Sequence, residues 1–185
     1  MGRGVSYCAT CDGNFFKDKV VAIVGGGNTS LEDSIYLSNL AKKVYLIHRR
    51  DEFKGDRILV EQLQAETSKP NSKIEVLYNS HVTKISGTDK LESITIENCV
   101  TKQSEELALD GLFIAIGRKP DTELLEGVEL DKNGYIITNE KMETNIPGVY
   151  AAGDVRQKQL RQIITACSDG AIASVNTNEY ISRNF

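Results

Sequence analysis

The chain has 185 residues, of which 40% are hydrophobic and 26% charged, a size and make-up that fit an ordinary globular protein able to bury a core and exclude the disordered classes. A formal net charge of -4 leaves no basic footprint for nucleic acid. No apolar run approaches a membrane span and Met1-Gly2-Arg3-Gly4-Val5 has no signal-peptide core, so the chain is expected to be cytoplasmic and away from membranes.

Four cysteines in such a chain are expected to be mostly thiols, so the close pair in Cys8-Ala9-Thr10-Cys11 points to metal or redox chemistry before it points to a structural disulfide. Zinc would need a second such pair or matching histidines. Cys99 and Cys167 are isolated, and His48 and His81 fall in different elements, so no metal site is expected. A redox dithiol fits better: one thiolate attacks a partner disulfide and the other resolves the mixed species. Asp12 follows directly, either as a proton donor and acceptor for the departing thiolate or as a turn residue ahead of Gly13.

Residues 19–24 form a short β-rich apolar run that stops at Gly25-Gly26-Gly27. From Asn28 the spacing of Leu31, Ile35 and Leu40 is helical. Residues 43–47 repeat the strand signature and complete a strand, helix, strand unit with a right-handed crossover. A second helix is expected over 56–66, before the turn at Pro70-Asn71. Residues 73–78, 82–85 and 91–97 alternate apolar with polar side chains, which predicts a small antiparallel meander. Residues 112–116 return to the main sheet, and Gly117-Arg118-Lys119-Pro120 reads as a linker. The expected domains are 1–117 and 118–185. The second should hold a hairpin around Asn133-Gly134, a strand at 149–152 and a helix over about 160–180 with Leu160, Ile163, Ile164, Cys167, Ala171 and Val175 on one apolar face.

Gly25-Gly26-Gly27-Asn28-Thr29-Ser30 lies between strand and helix, where small residues let the backbone approach a pyrophosphate and the helix N-terminus offers free amides. Ser30 stands where a third glycine is usual and is still small. At the end of the second strand, His48-Arg49-Arg50 with Lys54 offers cations to a 2′-phosphate, where a carboxylate would favour NAD instead. NADPH is therefore expected over NADH, unless Arg49 and Arg50 are a solvated charge run.

Gly4-Val5-Ser6-Tyr7-Cys8-Ala9-Thr10-Cys11-Asp12-Gly13, Gly25 to Thr29 and His48-Arg49-Arg50-Asp51, in that order and spacing, closely resemble the low-molecular-weight bacterial thioredoxin reductases, flavin-dependent pyridine nucleotide-disulfide oxidoreductases. Ala115-Ile116-Gly117 resembles their interdomain hinge. Gly148-Val149-Tyr150-Ala151-Ala152-Gly153-Asp154-Val155 and Arg161-Gln162-Ile163-Ile164-Thr165-Ala166 resemble their second flavin segment. The resemblance implies an α/β chain: a Rossmann-like NAD(P)-binding domain with a three-layer sheet, followed by the C-terminal part of an FAD-binding domain. It also implies a route of electrons from NADPH to FAD, to the Cys8–Cys11 disulfide and on to the disulfide of thioredoxin, in an enzyme that is a homodimer when complete.

By position, Cys11 would face the flavin, Cys8 would be the interchange nucleophile and Asp12 the acid/base. Gly25, Gly26, Gly27, Asn28, Thr29, Ser30, His48, Arg49, Arg50 and Lys54 would take NADPH. Lys54 stands where arginine is common, which keeps the charge but loses the fork. Ile116, Gly117, Gly153, Asp154, Arg161, Gln162 and Ile163 would complete the cofactor contacts. The chain starts just before the cysteines, downstream of the family's glycine-rich FAD fingerprint. The FAD site is thus expected to be incomplete, the isolated chain colourless and inactive, and apolar surface exposed within 118–185. Two alternatives stand beside this. One is the flavoprotein reductase of alkyl hydroperoxide reductase, whose dithiol usually carries Pro-His where Ala9-Thr10 stands here. The other is a non-enzymatic NADPH-binding module that senses redox state.

Overall fold

The computed structural model describes residues 2–185. They fall into two compact units, the first ending at Gly117 and the second spanning Arg118–Phe185.

The first unit is built on a parallel sheet because its strands carry apolar side chains on both faces and both faces are covered. Its elements are β1 (Val5–Ser6), α1 (Ala9–Asp12), β2 (Val20–Gly25), α2 (Asn28–Ser38), β3 (Lys43–Ile47), α3 (Arg57–Thr67), β4 (Ile74–Leu77), β5 (Ser80–Ser86), β6 (Ser93–Asn98), β7 (Ser104–Ala108) and β8 (Gly111–Ala115). The parallel sheet has the order β1-β8-β2-β3-β4, and β5-β6-β7 form a separate antiparallel sheet. Alternation along β2 divides the core in two. Val21 and Ile23 pack with Leu31, Leu37 and Leu63 of the helices and with Phe113, whose ring meets Phe16 edge-on at 5.2 Å. Ala22 faces the other way, with Leu112, Ile94 and Ile96 beneath the meander. Helices, parallel sheet and meander make the expected three layers.

Two strand assignments differ from the sequence expectation. Residues 74–77 do not open the meander: β4 pairs parallel with β3, from Val44 opposite Ile74 to Ile47 opposite Leu77, as the edge of the main sheet. An edge strand with one exposed side alternates just as a meander strand does, so the pattern could not separate them. The meander's third strand is instead β7, Ser104-Glu105-Glu106-Leu107-Ala108, paired with β6. It has no β-branched residue and only Leu107 among its side chains is turned inward, so it carried no strand signal.

The second unit has little regular structure before its long helix. The expected hairpin is reduced to one antiparallel bridge, Leu130 with Ile136, around a turn in which the Asp131 carboxylate accepts from the Asn133 and Tyr135 amides. The expected strand at 149–152 is likewise a single bridge, Tyr150 with Glu143. Short segments stay irregular when no neighbouring strand supplies a ladder.

Helix α4 (Ile163–Asn184) begins at a capping box, in which the Gln162 amide donates to Thr165 Oγ1. Its apolar face is open: Ile163 is 86% and Ile164 75% exposed, and Leu160 and Val175 are exposed as well. The helix is held from the opposite side by Asp169, its one buried residue. That carboxylate accepts from Lys158 Nζ at 2.6 Å, from the Gly153 amide at 3.0 Å and from Arg156 at 3.4 Å. Burial disfavours its charge, but the Lys158 and Gly153 hydrogen bonds and the Arg156 charge outweigh that and hold the group below the usual carboxylate range.

Asp33 on α2 is the opposite case. Burial, and then the neighbouring Glu32 charge, raise its pKa to about 6. No hydrogen bond or ion pair among the described residues offsets this. A carboxyl that binds its proton more tightly when folded favours the fold at low pH, and that contribution is lost as pH rises from 3.8 through about 6. Asp33→Asn is expected to stabilise the protein by about 1 kcal/mol at pH 7.5, after allowance for the side chain's partial solvation. The gain should vanish below pH 4, which urea unfolding at the two pH values will show.

Candidate functional site

The turn from β2 into α2 is dictated by what surrounds it. A Cβ on Gly25 would lie 2.5 Å from the Ala115 carbonyl oxygen and 2.6 Å from Ser30 Cβ, and one on Gly26 would overlap the His48 ring. Both glycines are required by close packing. Gly27 is different: it is the N-cap of α2, and nothing lies within 4 Å of where its Cβ would be. Its open side is where a ligand can approach the backbone. Ser30 is fully buried and donates to the Gly27 carbonyl at 2.8 Å, so it closes the first turn in place of a third glycine.

A second segment is tied to this turn. The Lys54 amide donates to the Gly26 carbonyl at 2.8 Å. Asn28 and Asp56 exchange two hydrogen bonds, Nδ2 to Oδ2 and the Asp56 amide to Oδ1, each 2.7 Å. Lys54 is thereby held beside the glycines by backbone and side-chain bonds that leave its ammonium unused. Asn28, an expected cofactor contact, lines the cleft while its side-chain amide is bonded to Asp56.

A cleft of about 490 Å³ opens over the C-terminal ends of β2, β3 and β8. It is lined by Gly25 to Thr29, His48, Arg49, Arg50, Lys54, Ile116 and Gly117, so these expected residues are brought together at the end of the sheet, where open α/β folds bind ligands. Arg49, Arg50 and Lys54 are exposed, and none is bound to a carboxylate among the described residues. No acidic residue among the described ones lines the cleft. His48 is mostly buried: its Nε2 pairs with the Glu52 carbonyl at 2.9 Å and its ring lies against Phe53. It both lines the cleft and packs beneath Gly26. Ser80 and His81, which sequence reasoning missed, also line the cleft. Their only signal is that they follow β4, the next parallel strand end.

The cysteine pair sits on a separate local scaffold. Cys8 and Cys11 are joined as a disulfide at the start of α1, where Cys8 is the N-cap and its Sγ accepts from the Cys11 amide at 3.2 Å. Cys11 is exposed and Cys8 half-buried. Buried Ser6 donates to Asp12 Oδ2 at 2.6 Å and accepts from the Cys8 amide at 3.1 Å, so one hydroxyl ties the carboxylate to the first cysteine. Asp12 ends α1 and is joined through Ser6 to the Cys8 backbone. Neither cysteine lines the cleft.

In the second unit, Gly153–Val155 form one short 3-10 turn, with Gly153 at φ 78°, pinned by its amide bond to Asp169. Asp154 pairs with Arg118 at 3.6 Å, and Arg161 Nε donates to the Asp154 carbonyl at 3.3 Å. The Arg161 guanidinium lies 4.0 Å over the Tyr135 ring, a partner that sequence reasoning missed. A smaller hollow of about 280 Å³ gathers Arg118, Tyr135, Asp154 and Arg161. Gln162 and Ile163 are not part of it.

Known proteins resemble the chain in sequence and in fold. The profile of the pyridine nucleotide-disulphide oxidoreductases matches residues 1–170. The chain belongs to that family. Its members use pyridine nucleotide and flavin in disulphide chemistry. The chain is similar to the thioredoxin reductase of Peptoclostridium acidaminophilum, with 43% identity over 191 residues covering 100% of this chain and 59% of that protein. It is 43% identical over 184 residues to the thioredoxin reductase of Bacillus subtilis (strain 168), covering 98% of this chain and 57% of that one. The crystal structure of thioredoxin reductase from Streptococcus pyogenes MGAS5005 superimposes with a TM-score of 0.87 at 44% identity, over 98% of this chain and 58% of that chain. The chain thus spans less than two thirds of these relatives.

The packing at Gly26 generates a test. Gly26→Ala is expected to destabilise the first unit by about 2 kcal/mol through overlap with the His48 ring. The double variant Gly26→Ala, His48→Ala should lose less than the sum of the two single losses in urea unfolding. Additive losses would show that the ring is not what excludes a side chain.

Proposed function

We propose that the chain carries the NADPH-binding and dithiol machinery of a thioredoxin-disulfide reductase, together with part of its flavin site. The observation that carries this is the pairing, on one small unit, of a Cys8–Cys11 disulfide with a cleft whose three cations have no carboxylate partner among the described residues. The residues present fit NADPH. The open side of Gly27 and the N-terminus of α2 suit a pyrophosphate, and Arg49, Arg50 and Lys54 suit a 2′-phosphate with no carboxylate to repel it. Ile116 and Gly117 border the same cleft. For FAD, Gly153, Asp154 and Arg161 on their braced turn, with Gln162 and Ile163 at the start of α4, are the residues that would hold it in this chain. When bound, FAD supplies the step from two-electron hydride chemistry to dithiol chemistry.

The remaining steps belong to the protein's own groups. Reduction of the Cys8–Cys11 bond by an electron pair and two protons leaves two thiols, and Asp12, held beside the pair by Ser6, is the group that would supply or take up a proton there. Cys8 as thiolate attacks one sulfur of the thioredoxin disulfide and forms a mixed disulfide. Cys11, three residues away, attacks Cys8 in turn, which restores the internal disulfide and releases reduced thioredoxin. Cytoplasmic location and a homodimeric complete enzyme belong to the same proposal and are supported by the resemblance to bacterial thioredoxin reductases.

Two measurements test it. Replacing Arg49 and Arg50 together by alanine should weaken NADPH by roughly a hundredfold in calorimetric titration, the loss of two charge-assisted contacts, and leave NADH within about threefold. Equal losses would refute the phosphate assignment. Separately, the chain reduced with dithiothreitol and desalted should transfer its electrons to oxidised thioredoxin in a single turnover. Cys11→Ser should accumulate the mixed disulfide, and Cys8→Ser should form none. Trapping through Cys11 in the Cys8→Ser variant would reverse the two roles.

A further inference from the structure

One nucleophile stands outside the chemistry above. Cys99 is a free, partly buried thiol at the turn between β6 and β7, and its sulfur lies 3.3 Å from His81 Nδ1. The turn is firmly built. The Asn98 carboxamide oxygen accepts from the Val100 and Thr101 amides, the Lys102 amide donates to the Asn98 carbonyl at 2.9 Å, and the Cys99 amide donates to the Asn79 carbonyl at 2.6 Å. His81 is fixed on β5 opposite Glu97, whose carboxylate is occupied by Lys102 at 3.6 Å. The thiol and the imidazole are therefore held together by two strands and a closed turn. A thiol within reach of an imidazole able to take its proton is the arrangement of a nucleophile with its base. His81 also lines the cleft that holds Arg49 and Arg50.

We propose that Cys99 and His81 form a nucleophile–base pair that makes Cys99 a site of modification by low-molecular-weight disulfides, and that a nucleotide in the adjoining cleft shields it. His81 Nδ1 accepts the thiol proton. The Cys99 sulfur attacks one sulfur of the small disulfide, a new S–S bond forms as the old one breaks, and the departing thiolate takes the proton from His81. One small thiol is released for each Cys99 converted to a mixed disulfide. The shielding rests on reading the cleft as the nucleotide site: a ligand seated against Arg49 and Arg50 also covers His81, the base of the pair.

The test uses the whole chain with Cys8 and Cys11 oxidised, glutathione disulfide as the probe, and peptide mass mapping to follow each cysteine. Cys167 is the internal control, since it is exposed and has no such partner among the described residues. Cys99 should react at least about tenfold faster than Cys167 despite being less exposed, because the thiolate is the reacting species. His81→Asn should remove that advantage and leave Cys167 unchanged. Saturating adenosine 2′,5′-bisphosphate should slow Cys99 alone. A Cys99 rate at or below that of Cys167, or one indifferent to His81→Asn, overturns the pair. Full reactivity of Cys99 with bisphosphate shown by calorimetry to be bound overturns the shielding. Failure of the bisphosphate to bind would instead remove the nucleotide reading, and the thiol rates alone would then decide the pair.

Discussion

The close approach of the β2–α2 turn to its neighbours is the constraint on which the first unit depends. Gly25 leaves no room for a side chain between the Ala115 carbonyl and Ser30, and Gly26 leaves none above the His48 ring. With the turn pressed down at these two points, the strand can pass directly into the helix, and the N-terminus of α2 is aimed over the end of the sheet. Only Gly27 keeps an open side. Gly25 to Thr29 all line the cleft, and of the three glycines only Gly27 has room for a side chain. The same docking fixes Lys54, because its amide bonds to the Gly26 carbonyl and Asp56 clasps Asn28. A glycine motif and a basic cluster that are 20 or more residues apart in sequence become one surface through backbone bonds.

Charge is used differently in the two units. In the first, the core is apolar on both sides of the sheet and the cations of the cleft have no carboxylate partner among the described residues. In the second, the buried group of α4 is a carboxylate bound by an ammonium, a guanidinium and an amide, while several of the large apolar side chains of α4 are exposed. A buried ion cluster of this kind is costly to break and sets a particular geometry. Here that geometry is the Gly153–Val155 turn, which carries Asp154. Asp169 therefore matters to the proposed flavin residues without belonging to them.

The disulfide and the cleft lie in the same unit, yet the cysteines are not among the cleft's lining residues. The family uses flavin as well as pyridine nucleotide, and the proposed route gives flavin the step between nucleotide and disulfide. The Ser6–Asp12 hydrogen bond has its place in the same economy of short links: it keeps a carboxylate at the first cysteine on a helix of only four residues.

The sequence by itself determined the parts whose signal is local. β2, β3 and α2 were legible because buried parallel strands read as apolar runs and the helix as a 3.6-residue period. Arg49 and Arg50 were legible because position at a strand end gives a charge its meaning, and the dithiol because three-residue spacing suffices to close it. Tertiary structure alone decided what depends on register and on contacts between distant segments. It moved Ile74–Leu77 to the edge of the main sheet and supplied β7 from a stretch with no β-former. It gave His48 and Asn28 packing and hydrogen-bonding partners at the edge of the cleft, and it brought Ser80 and His81 to the cleft, Tyr135 under Arg161, and Cys99 beside His81. The physical reason is the same throughout: periodicity reports which face a residue shows, whereas its neighbour on that face is set by strand pairing and packing that no single segment encodes.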